Sequence, residues 1–237
     1  MARIILVLGA GSNVGAALTT KFQSLGYKLA LVSRSTPKPS SENILHLQAD
    51  LTDPNVYCSI FTRIRESFGG TPSVVVFNAA LLSPSTEPGN IFAVPLDAFQ
   101  RDLNLQVKGP YVAAGEAYKL WSEEEKVGGG GEKKQFIFTG NAQWNTLLPL
   151  YQFVTLGVAK NASAYWLGVA DKMYRERGFR FFFTDQRNAQ GGPAGVAGPE
   201  EHAEMYSRIV QDPDAFPFLV PFVDGTKLED LGNTRWE

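Results

Sequence analysis

The sequence predicts an α/β fold, a doubly wound parallel sheet of about seven strands with helices on both faces. Short apolar runs alternate with longer amphipathic stretches, and a glycine-rich turn joins the first run to the first stretch. Most runs are continuously apolar, as strands buried on both faces are. In order, the strand-like runs are 3–8, 28–33, 44–48, 73–77, 135–138 and 179–183, with a seventh near 218–223 beside Pro217 and Pro221. Helical patterning fills 14–25, 54–68, 96–121 and 156–176. With no internal repeat and no interdomain linker, residues 1–237 read as a single domain. Segment 122–134 carries an acidic run, four consecutive glycines and a basic run. It joins a helix to a strand, so it reads as a solvated loop at the edge opposite the one where ligands bind.

Lys and Arg number 22 against 24 Asp and Glu, a net charge of −2. Nucleic acid and anionic membranes favour a basic excess, so neither is an expected partner. No apolar run approaches the ~20 residues that span a bilayer, and the amino-terminal residues lack the pattern of a secretion signal. A lone cysteine, Cys58, makes no intramolecular disulfide, which points to a reducing, cytoplasmic setting. Two histidines, His46 and His202, and one cysteine leave no cluster with zinc-ligand spacing, so no metal is expected.

The turn after the first strand reads Gly9-Ala10-Gly11-Ser12-Asn13-Val14-Gly15 and opens a helix. Glycines there permit a tight turn and let backbone N–H groups approach a pyrophosphate at the helix N-terminus. A second strand ends about 20 residues on, as the dinucleotide fingerprint of a Rossmann fold requires. That strand ends Val32-Ser33-Arg34-Ser35, with no Asp or Glu to hold a ribose 2′-hydroxyl. Arg34 instead suits a 2′-phosphate, with Ser33 and Ser35 as further donors, so the expected cofactor is NADP(H).

With these residues placed, the chain resembles the short-chain dehydrogenase/reductase family over nearly its whole length. Leu8, Gly9, Asn13 and Gly15 take the fixed places of that family's Thr-Gly-x-x-x-Gly-x-Gly motif; Asn13 departs mildly, Asn tolerating left-handed backbone. Asp50-Leu51 looks like the Asp-Val/Leu that contacts adenine, and Asn78-Ala79-Ala80 like the family's Asn-Ala-Gly. The resemblance implies a cofactor cleft lined by the glycine turn, Arg34, Asp50, Leu51, Asn78, Ala79 and Ala80.

The family's catalytic residues are Asn, Ser, Tyr and Lys, and here the pattern breaks. Lys160 matches the lysine that binds the nicotinamide ribose, whereas Leu156 stands at the tyrosine. Gly140 stands at the serine with Thr139 beside it, and Gln106 at the asparagine. Leucine neither donates nor accepts a proton. Segment 141–155 crosses the cleft mouth, and its Asn141, Gln143, Trp144 and Tyr151 are the candidate substrate contacts. Tyr151 is also the candidate displaced acid, packing against substrate or loop being its competing role. Gln186-Arg187, or Gly192-Pro193 after an insertion, takes the place of the Pro-Gly that covers the nicotinamide. Asp185 is the one carboxylate placed to point into the cleft, a solvated or capping role being its competing and preferred reading, and a substrate lid is expected around 185–212, with Glu200, Glu201, His202 and Tyr206 opening a solvated helix.

The leading expectation is an atypical NADPH-dependent reductase of a small or medium, largely apolar carbonyl or imine compound. Two alternatives stand beside it: a redox-neutral cyclase, isomerase or lyase that uses NADP(H) structurally, and a non-catalytic NADP(H)-binding protein. The resemblance also implies a homodimer or homotetramer formed through the fourth and fifth long helices.

Overall fold

Alternate side chains of a strand point to opposite faces, so each apolar run feeds two cores at once. In the computed structural model, which describes residues 3–35, 39–128, 133–226 and 228, these runs form seven strands. They are β1 (Ile4–Leu8), β2 (Lys28–Ser33), β3 (Ile44–Gln48), β4 (Val74–Phe77), β5 (Lys134–Thr139), β6 (Phe179–Gln186) and β7 (Leu219–Phe222). Every pairing is parallel, in the order β3-β2-β1-β4-β5-β6-β7. The expected fold class holds: a seven-stranded, doubly wound Rossmann sheet.

One core takes Leu6, Leu8, Phe77, Phe138, Phe181 and Phe183 from the sheet. It also receives Tyr57 and Phe61 of α2 (Val56–Phe68), Trp121 of α4 (Gly109–Lys126) and Leu167 of α5 (Val154–Tyr174). The other takes Ile5, Val7, Val76, Ile137 and Phe182 against α1 (Val14–Ser24) and α6 (Pro199–Gln211). Each buried Leu, Ile or Phe removes apolar surface worth about 1.5–3 kcal/mol from water. Pro221 is tolerated in β7 because that strand lies at the sheet edge, where an N–H is dispensable.

Patterning over 96–121 predicts one helix, and the structure divides it. Helix α3 (Leu96–Leu103) runs into a π-helical turn at Asn104–Lys108 and then into α4. Pro110 explains part of the change, since it has no N–H to give to the carbonyl of Gln106 four residues earlier. The Ser163 hydroxyl of α5 donates to that carbonyl instead, at 2.7 Å. The loop expected over 122–134 is also shorter than predicted. Glu123, Glu124 and Glu125 belong to α4, where Glu124 pairs with Lys134 and Glu125 with Arg177. Three residues of its glycine run, 129–131, lie outside the described residues.

Helix α6 is a correction of larger consequence. Its residues Ala203, Tyr206, Ile209 and Val210 recur at helical spacing and are buried, and the helix packs against α1 under the sheet. It is therefore a core helix and not part of a solvated lid. Of the expected lid, 187–198 is left to cover the cleft, and it is internally braced: Arg187 bridges Pro193, and Asn188 holds the Gly192 N–H at 2.9 Å. Among the described residues, no helix is long and apolar enough to cross a membrane.

Candidate active site

Strand order reverses between β1 and β4, and the loops leaving these strands open a groove at the carboxyl edge of the sheet. Gly9 turns the chain with φ +97°, and a Cβ there would lie 2.5 Å from the Ala79 nitrogen. Gly9 and Ala10 both donate to the Val32 carbonyl, and Asn78 Nδ2 donates to the Gly9 carbonyl at 3.0 Å. A Cβ on Gly15 would meet Ala10 at 2.7 Å. Gly11, by contrast, has no atom within 4 Å of where its Cβ would stand. No side chain caps α1, and its first turn carries no acid. The cradle thus offers uncapped N–H donors facing open space, which fits a pyrophosphate. Asn13 departs from expectation: its φ is −96°, and its amide donates to the Ala197 carbonyl at 3.2 Å, tying the glycine turn to segment 187–198.

Two cavities meet at Gly11, Asn78 and Ala80. One, of about 380 Å³, is lined by Gly9, Ser33, Arg34, Ser35, Asp50, Leu51 and Ala79, so the residues expected around an adenosine end come together. The Thr52 N–H and hydroxyl hold the Asp50 carboxyl below the usual carboxylate value, and the Arg34 charge acts in the same direction. Arg34 itself is exposed.

The other cavity, of about 410 Å³, extends from Ser12, Asn13, Val14 and Gly15 to Thr139, Gly140, Asn141, Leu156 and Lys160. Lys160 is buried, donates to the Thr139 carbonyl at 2.8 Å and lies 4.5 Å from the centre of the Phe138 ring. Burial pulls its ammonium down to about 7. Leu156, one turn earlier on α5, lines the same cavity. Gly140 has no room for a side chain, because a Cβ there would enter the Phe183 ring.

Several candidates lie elsewhere. Trp144 is a core residue; its indole N–H donates to Asp185 at 2.8 Å and so is not a substrate contact. Asp185 is buried and turned to Trp144 and Arg187, whose Nε lies 2.7 Å away; desolvation pushes its carboxyl up against the pull of Arg187. Gln143 is spent within the loop, its N–H accepted by Asn141 Oδ1 and its amide donating to the Phe153 carbonyl. Gln106 sits in the π-helical turn and donates to the Leu81 carbonyl at 2.8 Å. Tyr151 lies in a short 3₁₀ turn and does not line the cavity. Of the substrate contacts expected, Asn141 alone lines it.

In their place α6 supplies two residues that sequence reasoning assigned to a lid. The buried Tyr206 hydroxyl lies 2.7 Å from both Thr139 Oγ1 and Thr184 Oγ1, and Thr139 donates to Asn78 Oδ1 at 3.0 Å. Burial drives the Tyr206 phenol well above its usual value, so it orients Thr139 and stays protonated. His202 lines the cavity with its Nδ1 2.7 Å from the Gly198 carbonyl; since a carbonyl only accepts, Nδ1 carries the proton. Burial holds this imidazole below its usual value. Gln186, which also lines the cavity, receives the Gly198 N–H on Oε1 at 2.7 Å. The apolar spacing of α6 was the available signal for both helix residues.

No family model matches the chain. The short chain dehydrogenase/reductase dmxR12 of Cryptosporiopsis sp. (strain 8999) is 34% identical over 236 residues, covering 94% of this chain and 92% of that protein. Two solved structures share the fold at lower identity. A metagenomic short-chain oxidoreductase in complex with NADP aligns with a TM-score of 0.76 and 16% identity, over 93% of this chain and 96% of its own. A 4-hydroxyisoleucine dehydrogenase complexed with NADH and succinate aligns with a TM-score of 0.76 and 14% identity, over 93% and 98%.

Proposed function

The chain belongs to the short-chain dehydrogenase/reductase family, and from that membership and the shape of the cleft we propose an NADPH-dependent reductase of a small or medium, largely apolar carbonyl compound. The observation that carries this reading is the continuity of the two cavities. A groove with Arg34 at one end and Lys160 beside Leu156 at the other matches a dinucleotide laid across the strand reversal. One relative in fold carries NADP and another NADH, so the choice between them rests on Arg34.

The N–H groups of Ser12 to Gly15 would hold the pyrophosphate, Arg34 with Ser33 and Ser35 would hold the 2′-phosphate, and Asp50 and Leu51 would border the adenine. Lys160 would face the nicotinamide ribose. When bound, the cofactor supplies hydride. The chain's own task is to orient the carbonyl between Asn141 and Leu156 and to keep water from the reacting atoms. Ala80, Leu156, Ala194 and Ala197 give the cavity apolar walls, which favours an apolar substrate body. The exposed aromatic faces of α4 and α5, including Tyr111 and Tyr165, are assigned to a second copy of the chain in a homodimer or homotetramer. A reducing, cytoplasmic setting agrees with the single unpaired and exposed Cys58.

The test is a comparison of NADPH and NADH binding by wild type and R34A, followed by NADPH consumption with a carbonyl panel. Loss of the charge-assisted bonds lowers NADPH affinity about 10- to 100-fold and leaves NADH nearly unchanged. Equal affinity of wild type for both nucleotides defeats the assignment of Arg34.

A further inference from the structure

With leucine in place of tyrosine, the cleft needs another source for the proton that completes a carbonyl reduction. Among the described residues lining the catalytic cavity, Lys160 and His202 are the two with ionisable side chains. They sit on different elements. His202 comes from α6, beside Gln186 and Ala197, with one ring nitrogen committed to Gly198. Lys160 shares α5 with Leu156 at a spacing of four residues, which stacks the two side chains on one helix face. Both residues line the catalytic cavity, so the Lys160 side chain borders the same space as the position from which the phenol is missing.

We propose that the Lys160 ammonium is itself the proton donor of the reduction, in place of the displaced tyrosine. This rests on the reductase reading above. As the carbonyl carbon accepts hydride from the dihydronicotinamide, its π pair moves onto oxygen. That oxygen takes a proton from Lys160 Nζ, the N–H bonding pair stays on nitrogen as the amine lone pair, and the amine recovers a proton from water through the cleft.

The surroundings suit a lysine that releases its proton. Of its three N–H bonds, one goes to the Thr139 carbonyl, which leaves two to face a ribose hydroxyl and a substrate oxygen. Among the described residues no carboxylate lines the cavity to fix the charge, and Asp185 of β6 is turned to Trp144 and Arg187. β4 and β5 present Asn78 and Thr139, and the glycine turn presents Ser12 and Asn13, none of which titrates. From α6 come His202 and, behind Thr139, the protonated Tyr206. Burial leaves Lys160 at about 7, where an acid both holds and gives up its proton at neutral pH.

The experiment has one arm that needs no turnover. Trace labelling of the native protein with acetic anhydride across pH, read by peptide mass spectrometry, is expected to give Lys160 a midpoint near pH 7, against about 10.4 for surface lysines. A midpoint near that of the surface lysines overturns the proposal. The second arm is K160R, which keeps a cation for the cofactor yet releases no proton. NADPH affinity is expected to stay within about threefold of wild type, while kcat falls at least about 100-fold and its pH limb near neutrality disappears. If K160R misfolds, K160Q takes its place, with the same loss of kcat and limb expected. Unchanged kcat in a folded variant, or removal of the limb by H202N in its place, overturns the proposal. A wild type that binds NADPH and reduces no carbonyl defeats the reductase reading and this step with it. An active wild type with ordinary Lys160 labelling defeats the step alone.

Discussion

Phe183 fills the space that a side chain on Gly140 would need: a Cβ built on Gly140 falls within its ring edge and 2.5 Å from the Thr184 carbonyl oxygen. Position 140, which the sequence comparison sets at the family's serine, therefore has no room for a side chain, and Phe183 is held in a stack with Phe138. Placing a serine there by G140S forces a shift of backbone or ring. The variant is expected to lose about 1–3 kcal/mol of stability, measured by urea unfolding. A G140S protein as stable as wild type means that Phe183 moves aside cheaply, and the packing account is wrong.

Leu156 is half-buried and faces a cavity, so a larger side chain has somewhere to go. L156Y places a phenol one helical turn from Lys160, the arrangement the family uses. Stability is expected to change by less than about 1 kcal/mol, and kcat for a reducible carbonyl to rise at least about tenfold. Adding K160M should remove that gain, because the phenol then lacks a cation to favour its ionised form. A well-folded L156Y with unchanged kcat shows that proton delivery does not limit turnover.

The sheet and the strand-end positions of the glycine turn, Arg34 and Asp50 were legible because their signals are local. Continuous apolar runs marked six strands to within a few residues, and Gly9, Arg34 and Asp50 each sit at a strand end, where register alone fixes their place. The catalytic half depends on contacts far apart in sequence. Nothing near Trp144 reveals that its indole is taken by Asp185, 41 positions on, or that Tyr206 reaches back 67 positions to Thr139. Polarity misled at α6, where Glu200 and Glu201 suggested a solvated lid. The apolar stripe that follows them, at spacings of three and four, was the better guide. Lys160 stood out because a lysine amid Ala159, Ala162 and Ala164 is costly without a partner, and the structure places it in the wall of the cavity.

The outer faces of α4 and α5 give a prediction independent of catalysis. Tyr111, Tyr165, Val169 and Met173 are exposed beside Trp166, around a groove of about 410 Å³. If a second copy covers this face, V169D places a charge in an apolar interface and the assembly dissociates. Sedimentation velocity is expected to show a shift to monomer, with fold stability in the monomer altered by less than about 0.5 kcal/mol, as for other surface substitutions. A wild type that sediments as a monomer, or a V169D protein that keeps the wild-type size, removes this face as the interface.

Lys160 also makes stability depend on pH in a direction that can be worked out. Its folded value of about 7 lies below the 10.5 of an exposed lysine, because burial disfavours the charged form. Below pH 7 both folded and unfolded chains hold the proton, and the full penalty of burying the charge is present. Between about 7 and 10.5 the unfolded chain binds a proton that the folded chain lacks, so this group makes stability rise with pH across that window. K160M removes the penalty at every pH, at a constant cost for the Thr139 carbonyl left without its donor. The stability of K160M relative to wild type is therefore expected to be greatest at pH 6 to 7 and to decline steadily toward pH 10. His202 and the buried tyrosines titrate alike in both proteins and cancel from the difference. Urea midpoints of the two proteins across this range decide the matter: a difference that does not change with pH means that folded Lys160 keeps its charge throughout.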